Sequence, residues 1–107
     1  MSPGPGSGSP GPSGATITIS ASGVISPASV TINSGESVTF VNNHNTSHQI
    51  ESNPHPAHTD CPAINAVGTI NPGQTKLTNA LTTSRSCGFH DHNDPTNTNL
   101  QGTITIR

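Results

Sequence analysis

The sequence predicts an all-β fold, an antiparallel Greek-key β-sandwich or barrel, and three observations carry that reading. Apolar and polar residues alternate with a period of two along several short segments, which is the signature of strands. Turn-forming residues recur between those segments at roughly ten-residue intervals, the spacing of sandwiches and small barrels. Thr, Ser, Asn and the β-branched Val and Ile dominate the composition, and these fit a lightly built pleated sheet.

Residues 1–14, MSPGPGSGSPGPSG, are Pro, Gly and Ser after Met1 and read as a disordered, flexible tether. Residues 15–107 remain as one domain. A Met set directly on such a tether, with no signal peptide, is the pattern expected downstream of a removed export signal or membrane anchor. In the domain, Ile17 and Ile19 alternate with Thr16, Thr18 and Ser20. Val30 and Ile32 flank Thr31, and Val38 and Phe40 flank Thr39. The closing segment Gly102-Thr-Ile-Thr-Ile-Arg107 repeats the alternation. Ser22-Gly23, Ser26-Pro27, Asn33-Ser34-Gly35 and Asn71-Pro72-Gly73 supply turns between segments. No segment has the periodicity of an amphipathic helix. With only two Phe and no Trp or Tyr the core is thin, so a disulfide or metal is expected to contribute to stability.

Charge removes two partner classes. Lys76, Arg85 and Arg107 are the only three basic side chains, too few to track phosphates, and two Phe make no base-stacking platform, so nucleic acid is not a partner. No run of eighteen apolar residues is present, so no membrane span is expected. Cys61 and Cys87 are too few for a disulfide framework. Their even number, the lack of a CxxC zinc pattern and the polar surface favour an exported, extracytoplasmic protein with one Cys61–Cys87 bridge. Six His against eight charged residues is the anomaly of the composition.

The run Ile25-Ser-Pro27-Ala-Ser-Val30-Thr-Ile32-Asn-Ser-Gly35-Glu-Ser-Val38-Thr-Phe40-Val-Asn42-Asn43, followed by Ser47-His48, resembles the opening of plastocyanin-like cupredoxins. Leu100-Gln101-Gly102-Thr-Ile-Thr-Ile is similar to that family's last strand, so the resemblance covers residues 15–107. It implies a cupredoxin-like sandwich with His48 as the first copper ligand. It also implies a Cys, a second His and an axial Met in the loop before the last strand. Here the Met position falls on Leu100, which has no lone pair, and the Cys position falls on Asp91 or His92. Cys87-Gly-Phe-His90 has the family's C-x-x-H spacing and leaves an alternative open: a type 1 blue-copper electron carrier using Cys87, His48 and His90.

The other histidines suggest a rebuilt site. In His90-Asp91-His92 two imidazoles share one side of an extended chain. His55-Pro56-Ala57-His58 is restricted by Pro54 and Pro56, which lowers the cost of ordering its rings. The resemblance implies that His48, His55, His58, His90 and His92 converge on one pole of the sandwich. Such an imidazole-rich, carboxylate-poor set suits copper or zinc. His44 is expected to be a surface residue, and Asp60, Asp91 and Asp94 to be solvated or to orient imidazole N–H groups. Gly88-Phe89-His90-Asp91-His92 also looks like the GFHxH strand of copper/zinc superoxide dismutases, a five-residue likeness that points to a copper redox enzyme as a further alternative. The expectation is a monomeric, extracytoplasmic copper-binding domain with a mostly imidazole site, capable of copper storage, delivery or electron transfer with a redox protein partner.

Overall fold

The computed structural model describes residues 9–107, so the first eight residues of the expected tether lie outside the described residues. Nine strands among the described residues form two packed sheets. They are β1 (Ser13–Ile19), β2 (Ile25–Ser26), β3 (Ser29–Ile32), β4 (Ser37–Asn42), β5 (His48–Ser52), β6 (Gly68–Ile70), β7 (Thr75–Leu77), β8 (Arg85–Asp91) and β9 (Gly102–Ile106). One sheet has the order β2-β1-β4-β7, the other β3-β9-β8-β5-β6. The strands with the expected alternation turn their apolar residues inward: Ile17 and Ile19, Ile32, Val38 and Phe40, Ile104 and Ile106 are buried, and Val30 is half-buried.

The pairing is mixed rather than wholly antiparallel. β1 runs parallel to β4, and β3 runs parallel to β9. After β1 and β2 the chain crosses to the opposite sheet as β3, then returns as β4 running in the same direction as β1. Side chains alternate with period two in both kinds of ladder, so alternation predicts a strand without telling which way its neighbour runs.

Phe40 from the first sheet and Phe89 from the second meet edge to face at the centre, centroids 5.2 Å apart and planes at 87°. Such a pair adds about 1 kcal/mol to the burial of the two rings. Around it pack Ile17, Ile50, Ile70 and Ile104, and a 3-10 turn over Pro62–Val67 caps the core with Ile64 and Val67. Two turns of 3-10 helix leave no readable helical period, which is why no helix is predicted there. Cys61, just before that turn, is bonded to Cys87 on β8.

The fold takes in more of the N-terminal segment than its composition suggests. Ser13 and Gly14 already belong to β1, and the Gly11 N–H donates to Ser37 Oγ while Pro12 and Ser9 carbonyls accept from Ser37 and Ala80. Partners of that kind arise only from the tertiary fold and leave no trace in a Pro/Gly/Ser run. No helix among the described residues is long and apolar enough to cross a membrane.

Candidate metal centre

β5 and β8 lie side by side and antiparallel, with Ile50 opposite Asp91 and Glu51 opposite His90. Alternation therefore sends Ile50 and Asp91 into the sandwich and Glu51 and His90 to the outer face of the sheet. His92, two residues beyond His90, rejoins it on that side. His90 is nevertheless only 2% exposed, because the loop 53–60 between β5 and the 3-10 turn folds over it.

That loop is fastened along its length. The Asn53 N–H donates to the Gly88 carbonyl, Asp60 N–H to the Asn53 carbonyl, and His58 N–H to the Pro54 carbonyl. Asn65 braces it from the 3-10 turn, donating from Nδ2 to the His58 carbonyl and accepting the Ser52 N–H on Oδ1. The disulfide ties its far end to β8. His58 itself has φ 55°, the left-handed conformation that non-glycine residues rarely adopt and that costs on the order of 1 kcal/mol or more. The surrounding bonds hold that strain at the residue where the other rings meet.

His58 Nε2 lies 3.2 Å from His55 Nδ1, 3.2 Å from His90 Nε2 and 3.4 Å from His92 Nδ1. The four ligand nitrogens all fall within 4.8 Å of one another. A ring nitrogen carries one proton or one lone pair, so His58 Nε2 can satisfy at most one of these three neighbours by hydrogen bonding. A cation at the common point would satisfy all four.

Two of the rings are oriented from behind. Asn53 Oδ1 only accepts, so at 2.7 Å it accepts the hydrogen bond donated by His90 Nδ1–H and leaves the Nε2 lone pair facing inward. Glu51 Oε2 stands 3.8 Å from His58 Nδ1, on the side of the ring away from the cluster. Asn53 reaches His90 by lying across Gly88, where a Cβ would collide with its amide; only glycine leaves this room. Burial, reinforced by the neighbouring imidazoles of His58, His55 and His92, holds His90 below the ordinary histidine pKa, with Glu51 opposing. A lowered pKa keeps the ring neutral, the form that binds metal.

His48 is not brought into this group. It occupies the interior face of β5, where its Nδ1–H donates to Asp91 Oδ2 at 2.6 Å, and its Nε2 lies 2.8 Å from Nδ1 of the stacked His44 ring. Asp91 Oδ1 also accepts the N–H groups of Gln49 and Asn93. Both nitrogens of His48 are thus engaged, in a chain Asp91–His48–His44 that lines a cleft of about 400 Å³ together with Leu100. Asn42 shapes the loop that carries His44 and His48, donating to the Thr46 and Ile70 carbonyls and accepting the His44 N–H. Of the five histidines expected at one pole, His55, His58, His90 and His92 gather on the outer face of one sheet, while His48 sits inside with Asp91. The reason is that His48 and Glu51 lie on opposite faces of the same strand.

The cysteines bear on the thiolate alternative. Cys87 is fully buried and bonded to Cys61, and a disulfide sulfur offers no thiolate to copper. Asp60 and Asp94 are exposed; the Asp60 carbonyl accepts from Arg85 Nη1, and the Asp94 carboxylate accepts from Asn97 Nδ2. His44, Asn53 and Glu51 were not singled out as site residues by the sequence. Asn53 and Glu51 act through strand pairing and loop folding, and no local pattern marks them.

No family model matches the chain, and no curated protein matches it by sequence. Its fold is that of solved cupredoxins. A novel purple cupredoxin from Nitrosopumilus maritimus superimposes with a TM-score of 0.66 at 20% identity, over 87% of this chain and 99% of that one. The oxidized form of plastocyanin from Dryopteris crassirhizoma gives 0.66 at 20% identity, over 86% and 99%. A reduced Cu(I) form of a mutant amicyanin gives 0.67 at 12% identity, over 88% and 82%. The chain is a cupredoxin-fold β-sandwich with a four-histidine group suited to a metal ion.

Proposed function

We propose that this domain binds copper through His55, His58, His90 and His92, in an extracytoplasmic compartment and as a monomer. The observation that carries the reading is the convergence of three imidazole nitrogens on His58 Nε2 at 3.2–3.4 Å, which hydrogen bonding cannot account for. The fold supports copper, since one of the similar structures is a Cu(I) form. The disulfide supports an oxidising compartment. Four neutral donors also suit zinc. Without a thiolate the centre lacks the ligand that makes blue-copper sites efficient electron carriers, so storage or handing-on of the ion to a protein partner fits it better than electron carriage.

Copper titration of the whole chain tests this. One ion per chain is expected, with a nitrogen-ligated spin-resonance spectrum and no intense thiolate charge-transfer band. His58→Ala and His90→Ala should abolish binding and His44→Ala should leave it unchanged. A strong blue band lost in Cys87→Ser, or equal affinity in all three histidine variants, would overturn the proposal.

A further inference from the structure

We infer that the four-imidazole centre is tetrahedral, so that it holds the closed-shell ions zinc(II) and copper(I) without strain, favours zinc(II) over nickel(II) and forces bound copper(II) away from its tetragonal field. This rests on the metal-centre reading above and adds the class of ion the site prefers. Four nitrogens about 2.05 Å from a metal stand about 3.3 Å apart at every edge of a tetrahedron. In a square plane each has two neighbours at about 2.9 Å and one, across the metal, at about 4.1 Å. His58 Nε2 has neighbours at 3.2, 3.2 and 3.4 Å and none of the three stands at the longer distance. The spacing is that of a tetrahedral vertex.

The framework resists flattening. His90 is fixed by Asn53 and by the β8 ladder, and His58 by its left-handed backbone and the Asn65 brace. The rings are inclined to one another at angles from 39° for His58 and His90 to 90° for His55 and His90. Copper(II) and nickel(II) favour square or tetragonal fields, so each must either distort the loop 53–60 or accept a geometry it disfavours. Zinc(II) and copper(I) have filled d shells and no such preference. The nearby carboxylate, Glu51, stands behind His58 on its Nδ1 side, where it cannot serve as a fifth ligand at the common point.

The test uses the full chain with the bare ions. Cobalt(II) is the geometric probe, and the expected result is the intense visible absorption of a tetrahedral complex. Competition titration should place zinc(II) at least about tenfold tighter than nickel(II). Bound copper(II) should give a spin-resonance spectrum with compressed parallel hyperfine splitting. A weak octahedral cobalt spectrum, nickel binding as tight as zinc, or an ordinary tetragonal copper spectrum would overturn the inference while leaving the metal centre standing. Failure of zinc, cobalt, nickel and copper alike to bind would remove the centre and the inference together. His55→Ala, a change at an exposed loop position that spares the core, should lower cobalt absorption and weaken zinc, whereas the same spectrum and affinity in this variant would count against the four-ligand cage.

Discussion

His90 and Asp91, consecutive on β8, leave opposite faces of the five-stranded sheet. His90 turns outward to His58, and Asp91 turns inward to His48. One strand end thus serves two polar groups, a cluster of four imidazoles outside and a carboxylate–imidazole pair inside. The two are separated by the thickness of a β-sheet, so each can be altered without touching the other.

His48→Ala should lower stability without removing the metal. It leaves the buried Asp91 carboxylate without its closest partner, a loss of about 3 kcal/mol, read as a lower midpoint in denaturant unfolding. One ion per chain should still bind, because His48 is inside the sandwich. A folded variant that no longer binds would make His48 a ligand.

Asn53→Ala and Gly88→Ala should act alike. The first removes the acceptor that orients His90, and the second pushes Asn53 off its place across residue 88. Each is expected to weaken zinc or copper binding about 10- to 100-fold, the usual cost of losing a partner behind a metal-binding His. The comparison is by isothermal titration, with thermal melts to confirm folding. Unchanged affinity in both variants would mean that His90 is oriented by other contacts.

Acid should destabilise the metal-free protein. The folded pKa of His90 is lowered, so the unfolded chain takes up the proton first as pH falls. Stability from the neutral ring is therefore whole above the unfolded value of about 6.5 and is lost as pH drops from there toward the folded value. Melting temperatures between about pH 8 and pH 5 should fall through this window, and the fall should be shallower in His90→Gln. An identical slope in the variant would assign the acid sensitivity to other groups.

Reduction of the disulfide should cost both stability and affinity. Cys61 and Cys87 are 26 residues apart, and closing a loop of that length contributes roughly 3 kcal/mol. The paired change Cys61→Ser and Cys87→Ser should lower the melting point and weaken zinc binding, since Cys61 ends the loop that carries His55 and His58. The native protein should also show no titratable thiol. Two free thiols in unreduced material would contradict this.

The strands were readable because Ile17, Ile19, Val38, Phe40, Ile104 and Ile106 place one apolar side chain every second residue toward the core. The same periodicity puts His90 and His92 on one side of the chain. It is silent on which side of the sheet that is, because Phe89 and Asp91 alternate with them and either set could face inward. Two facts decide it: Phe89 is needed beside Phe40, and the Asp91 carboxylate finds three donors inside. The place of the 53–60 loop depends on partners far along the chain, Gly88, Asn65 and Cys87, which no local pattern around His55-Pro56-Ala57-His58 could name. The resemblance to plastocyanin-like cupredoxins located the sandwich, but the first-ligand position it gives to His48 lies beside Asp91 on the inner face of β5 and outside the group of four.

The outward placement of the four rings has a directional result. If the proposed ion binds there, a molecule that gives or takes it would meet the outer side of the five-stranded sheet, where His55 is exposed. The bonded pair Asp91 and His48 lies on the other, inner side of that sheet.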